Sequence, residues 1–260
     1  RPRDWSSDVC SSDLNGHAGS ALMRDLAHAR SLIEATVNAV RLPVTLKLGG
    51  LTLFFTVLFG IPLGVWSAVK QNGFVDNTLR VVTLSALSLP SFWCGLLVLM
   101  FAVHVFGTIP IYSNEPRGVW QELALLSIPA LVVGFRSSAL IVRLTRSSML
   151  EVMRQDYIRT ARAKGASESS INYHHALKNA ILPIITLLGI EASHLLGGLV
   201  VIETVFNIPG LGRYLVEAIR WRDYPIVQNL VLFSAFAVVI TNFIVDMLYA
   251  VIDPRIKYSD

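Results

Sequence analysis

Seven side chains that are basic, or become so at mildly acid pH, crowd into one polar stretch between two apolar runs. They are Arg154, Arg159, Arg162, Lys164, His174, His175 and Lys178, all within Met149–Pro183. Their chemistry is electrostatic. Guanidinium and ammonium groups at this density pair with carboxylates on another surface, or mark the cytoplasmic side of a membrane protein as an ordinary solvated basic loop. Ala161, Ala163 and Gly165 are interleaved with them and would let a second surface come close. The stretch predicts two short helices with a hinge. Asp156 is placed to cap a turn through Tyr157, Ile158, Ala161 and Ala163, Gly165 to end it in the left-handed conformation, and Ser167 to cap the next turn. The second helix is expected to stop at Pro183, where a new apolar run begins.

Other reactive constellations are lacking in the sequence. No nucleophile–base pair or paired-carboxylate arrangement occurs, so no catalytic residue is assigned. His174 and His175 are adjacent, and neighbours on a helix point about 100° apart, which is poor geometry for joint chelation. No metal site is expected. The phosphate-binding pattern Gly-x-x-x-x-Gly-Lys-[Ser/Thr] is absent, so ATP-driven work would need another polypeptide. Four polar residues, Arg136, Glu191, His194 and Asp246, fall inside apolar runs. A charged side chain at the centre of a bilayer costs roughly 2.5–3.5 kcal/mol on insertion scales, so such groups face the helix bundle or a water-filled path. Arg136 and Glu191 are candidates for a translocation path, with interhelical hydrogen bonding or snorkelling to the interface as the other reading; the latter is preferred for His194 and Asp246. A proton relay would want several acids in line, and these are scattered.

The elements that would position these residues are membrane spans. Hydrophobic residues make up 53% of the 260 residues, charged residues only 15%, and the mean hydropathy is +0.56. Apolar runs near the roughly 20 residues needed to cross a bilayer predict an all-α, polytopic membrane helix bundle. The predicted spans are 42–69, 81–106, 123–144, 184–205 and one from Tyr224 or Ile226 to Ile252. Pro62 and Pro90 predict kinks. Gly60-x-x-x-Gly64 is either a seat for a close helix contact or a chance match. Lys47 lies early enough to snorkel to the interface. Residues 70–80, 143–182 and the C-terminus hold eleven Lys and Arg, against four (Arg117, Arg213, Arg220 and Arg222) in 107–122 and 203–225, which puts the first set on the cytoplasmic side despite a formal net charge of only +4. That charge is a membrane-topology signal and gives no reason to expect nucleic acid as a partner. Residues 15–41 read as an external remnant with a surface amphipathic helix, marked by Leu22, Leu26, Ile33 and Val37. The first fourteen residues contain DWSSDVCSSDL, which the reverse complement of a common sequencing adapter encodes in one frame. They are set aside as non-native, Cys10 with them.

The run QDYIRTARAKG (155–165) with the later Leu182-Pro183 resembles the cytoplasmic coupling loop of ABC importer permeases. The general form is Glu-Ala-Ala, three residues, Gly, then Leu-Pro. Here Arg159 and Thr160 stand where Glu and the first Ala would be, and the spacing to Leu-Pro is longer. Both departures resemble the dipeptide/oligopeptide/nickel branch. SLPSFW (88–93), ETVFNIPGLGRYLVEAIRWRDYPIVQ (203–228) and DPRIKY (253–258) are similar to the first permease of that branch's pair.

The resemblance implies a six-helix permease, five of whose helices lie here, in a domain over 42–258 with a coupling loop at 146–183. It implies an ATP-driven importer of the cytoplasmic (inner) membrane of a bacterium or archaeon, carrying di- or oligopeptides or nickel. Its partners would be a second homologous permease, two ATPase subunits that bind ATP and Mg, and an external substrate-binding protein. Tyr157, Arg159, Thr160, Ala161, Arg162, Ala163, Lys164, Gly165, Leu182 and Pro183 would couple to an ATPase. Glu203, Pro209, Gly210 and Gly212, with Trp221 and Tyr224, would either form an outer gate or only close the bundle. The competing class is a secondary transporter or channel working without ATPases.

Overall fold

The computed structural model describes residues 17–107 and 118–252. The adapter-like segment, DPRIKY, and the loop prolines Pro110 and Pro116 lie outside the described residues. Contacts divide the chain into residues 1–43 and 44–260. In the first unit the described backbone is helical from His17 onward. In the second unit all the described elements are helices. In order they are α1 (His17–Val69, from Val44 on), α2 (Phe74–Ser88), α3 (Ser91–Phe106), α4 (Val119–Met153), α5 (Asp156–Ala163), a π-helical turn (Ser170–Ala176), α6 (Leu177–Gly198), α7 (Val200–Val205), α8 (Leu211–Arg220) and α9 (Tyr224–Ile252).

The organising contact is the α1–α4 seam, and glycine makes it possible. A β-carbon on Gly60 would sit 2.6 Å from the Ile141 side chain, and one on Gly64 would lie 2.9 Å from the Val142 carbonyl oxygen. Gly134 answers from α4, its α-carbon lying under Phe55 and the Thr52 carbonyl. The Gly60-x-x-x-Gly64 pattern is therefore a seat for α4. Contacts advance together, 55 against 134, 60 against 141 and 64 against 145, so the two helices run in the same direction. At the start of the seam Lys47 forms an ion pair with Glu122.

Parallel neighbours decide how the chain between them runs. It leaves α1 at one face and must re-enter α4 at the other, so α2 and α3 together carry it back across the bilayer. Each is too short to span alone, and they meet at a 100° bend. The expected single span over 81–106 with a kink at Pro90 is thus two helices broken at Leu89-Pro90. Proline fixes its own φ and pushes the preceding residue to extended backbone, and both Leu89 and Pro90 are extended. With the four helices Arg41–Val69, Val119–Met153, Ser170–Leu195 and Tyr224–Val245, which are long and apolar enough to cross a membrane, this broken span makes five crossings.

The fourth crossing also begins earlier than Pro183 suggests. Helix α6 runs straight through that proline. A proline inside a helix removes one backbone bond, but Ile171, Ala176, Ala180 and Ile184 are all fully buried across it. Ile171 and Ala176 are five residues apart, and the extra residue in the π-helical turn brings both to the same face. Burial of that stripe holds the helix together. At its far end the crossing stops at Gly198, and Val200–Val205 is a separate short helix. Helix α9 begins at Tyr224, with Asp223 accepting from the Ile226 N–H at 3.3 Å. It packs antiparallel on α6, where the Ser193 hydroxyl donates to Asn242 Oδ1 at 2.6 Å and Gly189 meets Val245.

Candidate functional site

The basic stretch folds as the sequence predicts at its hinge. Gly165 has φ +81°, the Ala166 N–H reaches the Ala161 carbonyl at 3.2 Å, and the Gly165 N–H reaches that of Arg162 at 3.0 Å. These two bonds define a Schellman cap, which needs a left-handed residue at its second-last position. Ser167 then caps the next turn, its hydroxyl accepting from the Ser170 N–H at 3.3 Å. Asp156 is not a cap: Gln155 holds that place, and Asp156 is the first helical residue, where its charge faces the positive helix end. Ile158 is fully buried in a cluster with Val65, Ala68, Met149 and Val152 from the ends of α1 and α4. One side chain thus ties α5 to the ends of two spans. The loop itself is shorter than expected, because α4 stays helical to Met153.

Tyr157, Thr160, Ala161, Lys164 and Gly165 line one surface depression, joined by Ala166 and His175. The sequence does not mark His175 as part of this group; the π-helical turn brings it there. Arg159 and Ala163 are exposed beside the depression. Arg162 is exposed but engaged: its guanidinium donates twice to Glu168, at 2.8 and 3.2 Å, which holds the Glu168 carboxyl below the ordinary range. Leu182 and Pro183 lie further along, in α6, where Asn179 donates to the Tyr157 hydroxyl at 2.7 Å and so links the two helices.

A second cluster at the same end is one the sequence does not announce. Asp76 has no exposed surface and accepts five hydrogen bonds. Ser67 donates at 2.6 Å, the Asn72 N–H at 2.9 Å, Arg80 at 2.8 Å, and Arg146 through two nitrogens at 2.7 and 2.9 Å. A bidentate guanidinium is the strong form of this pairing. It locks α1, α2 and α4 together at the end of the bundle that carries the depression around Gly165. A sequence signal exists in Asp76 four residues before Arg80, but Arg146 is 70 residues away and no local pattern points to it.

At the other end of α1 lies Glu203, also fully buried. Its carboxylate accepts from the Thr45 hydroxyl at 2.7 Å and from the Arg213 N–H at 3.0 Å, while Thr45 accepts from the Leu211 N–H at 2.9 Å. Both amides belong to the first turn of α8, so the carboxylate sits on that helix's positive end. Gly210 leaves the room: a β-carbon there would fall on the carboxylate, and one on Gly212 would lie 2.6 Å from the Val200 backbone. Pro209 is half-buried in this turn. The segment 203–228 therefore folds back onto the bundle, its Phe206 and Ile208 packing with Val44 and Leu48.

The intramembrane polar candidates separate. Arg136 is exposed and lines a cavity of about 600 Å³ with Phe59, Leu63, Val82, Ser85, Cys94 and Phe135. Glu191 is half-buried on α6 and His194 is exposed. The side chain of Asp246 lies outside the described residues. Among the described residues no group of His, Cys, Asp and Glu could hold a metal ion.

A bundle of five crossings with an exposed, capped helical elbow on one face is the architecture of an ABC importer permease. The fold agrees with solved examples: the methionine ABC transporter MetNI in an inward-facing conformation gives a TM-score of 0.67 at 18% identity, covering 85% of this chain and 98% of that one. An amino acid ABC transporter gives 0.58 at 16% identity, covering 84% and 96%.

The chain belongs to the family described as binding-protein-dependent transport system inner membrane component, matched over residues 60–258. It is 40% identical over 244 residues to the dipeptide transport system permease DppB of Escherichia coli K12, covering 84% of this chain and 72% of that protein. It is 38% identical over 239 residues to the DppB of Alkalihalophilus pseudofirmus, again 84% and 72%. To the oligopeptide transport system permease AppB of Bacillus subtilis it is 37% identical over 249 residues, 94% and 77%. It is a multi-pass inner-membrane protein and a permease subunit of a binding-protein-dependent ABC importer.

Proposed function

We propose that this chain and a second, homologous permease enclose a pathway for di- and oligopeptides, and that the surface around Gly165 receives one of two partner ATPases. The carrying observation is the construction of that surface. A short, Schellman-capped helix presents Tyr157, Thr160, Ala161, Lys164 and Gly165 around one depression, with the Arg159 charge beside it, and Ile158 roots the helix under α1 and α4. A push on α5 reaches the ends of two spans through a packed side chain, with no flexible linker between. Arg162, held by Glu168, stiffens the hairpin, while Leu182 and Pro183 carry it into α6. ATP and Mg are bound by the partners, and an external binding protein delivers the solute to the face closed by 203–228. Peptides are favoured over nickel because the similar permeases are named for dipeptide and oligopeptide transport.

The test is uptake by the full complex in liposomes, comparing Gly165→Asp with Gly165→Ala. No described atom lies within 4 Å of a β-carbon at Gly165, so Ala meets only the cost of a left-handed backbone, about 1–2 kcal/mol. Asp adds a negative charge and bulk to the docking face. ATP-driven uptake should be abolished by Asp and reduced by Ala, with membrane insertion of both intact. Unchanged uptake in Gly165→Asp overturns the coupling role.

A further inference from the structure

The α1–α4 seam fixes the depth of Arg136. Thr45 and Ser67 hold the two buried carboxylates at the two faces of the bundle, 22 residues apart on α1, or about 33 Å at 1.5 Å per residue. That matches a hydrocarbon core of about 30 Å. Gly134 sits against Phe55 and the Thr56 amide, and Ile141 against Gly60. Arg136 falls between these levels, close to Thr56, midway between the two faces. Among the described residues no carboxylate lies within ion-pair distance of it. A permanently charged guanidinium at mid-membrane depth needs water, a backbone carbonyl or an anion against it.

The cavity it lines says which anion. Apart from Ser85 and Cys94 the remaining walls are apolar and come from α1, α2, α3 and α4, with Phe59, Leu63, Val82, Leu131 and Phe135 among them. The volume lies within the range of small-molecule sites, roughly 300–1,000 Å³. One cation among mostly apolar walls suits a carboxylate carried by a solute whose neighbouring parts are apolar. Every free peptide carries such a terminal carboxylate, at the opposite end from its amino-terminal ammonium. We propose that Arg136 is the transit site for the terminal carboxylate of the transported peptide. This rests on the peptide reading above and adds to it a single specificity-determining residue.

Cys94 lies on the wall of the same cavity and reports on it. The experiment uses the full complex with its binding protein in liposomes. It measures uptake of a labelled tripeptide and, by mass spectrometry, alkylation of Cys94 by a small maleimide. In the otherwise unchanged chain, a tripeptide with a free C-terminus should slow Cys94 alkylation at least threefold during turnover, and its C-terminal amide should not. In Arg136→Gln that protection should vanish, and uptake should fall at least tenfold further than ATP hydrolysis does. Arg136→Lys, which keeps the charge, should recover part of both.

Equal uptake in Arg136→Gln, or equal protection by acid and amide, overturns the carboxylate site while the peptide importer stands. Loss of the second permease from the purified Arg136→Gln complex assigns Arg136 to the subunit interface and also overturns it. An unsubstituted complex that takes up no peptide at all removes the peptide reading and this inference together.

Discussion

Asp76 and Glu203 are both fully buried carboxylates, both reached by a hydroxyl from α1, and they are stabilised by different means. Asp76 is held mainly by side-chain cations, two nitrogens of Arg146 and one of Arg80. Among the donors to Glu203 are the Thr45 hydroxyl and a backbone amide at the start of α8. The faces explain the difference. Asp76 lies where Lys and Arg gather, on the side of the depression around Gly165, and a buried carboxylate there can recruit them. Glu203 lies at the other face, where the chain folds back and helix starts supply the donors. The first arrangement ties three helices by charge; the second ties a turn to a helix by backbone geometry, which is why Gly210 and Gly212 are needed beside it.

The largest effect should come from removing the anion of the charged cluster. Asp76→Ala leaves Arg146 partly buried without its partner, and breaking such a pair costs on the order of 3–5 kcal/mol. The thermal midpoint of the detergent-purified protein should drop more than it does for Glu203→Gln, Gly210→Ala or the loss of either hydroxyl. Arg146→Lys should have an intermediate effect, since an ammonium cannot reproduce the two-pronged contact.

At the other face, Glu203→Gln keeps an oxygen for one donor but turns an N–H₂ toward the other, at a cost of about 1–3 kcal/mol. Gly210→Ala attacks the same place without touching the charge, by pushing a methyl group into the carboxylate. It should destabilise by about 1–3 kcal/mol as overpacking does. Limited proteolysis between 203 and 223 would read either change, and intact resistance in both would contradict the assigned anchor.

The two hydroxyls sharpen the contrast with the smallest effects. Thr45→Val removes a donor to Glu203 and also the acceptor of the Leu211 N–H, so it should cost about 1–3 kcal/mol. Ser67→Ala removes one donor from a carboxylate that keeps Arg146, Arg80 and the Asn72 amide, and should cost about 1 kcal/mol or less. Equal losses in thermal stability would mean that Asp76 is as dependent on its hydroxyl as Glu203, and the comparison would fail.

Local chemistry is legible in the chain. The left-handed cap at Gly165, the Ser167 cap and the glycine pair at 60 and 64 each depend on residues a few positions apart, and each is formed. Proline read by itself misleads. Pro90 breaks its span outright, while Pro183 passes through a helix that a buried stripe holds together. Nothing local separates these cases, because tertiary burial decides between them. The same holds for the two carboxylates. Arg146 is 70 residues from Asp76, and Thr45 is 158 from Glu203, so neither pairing leaves a local pattern. Arg136 is legible as an intramembrane charge, but its cavity is assembled from four helices.

Under the proposed function this chain moves peptides only as part of an ATP-driven complex. The most direct measurement is uptake of a labelled dipeptide into liposomes containing either this chain alone or the chain with its second permease, ATPases and binding protein. Uptake is expected only in the complete complex with ATP on the ATPase side, and none should be driven by a proton or sodium gradient. Gradient-driven uptake by the chain alone would contradict the claim and make the protein a secondary transporter.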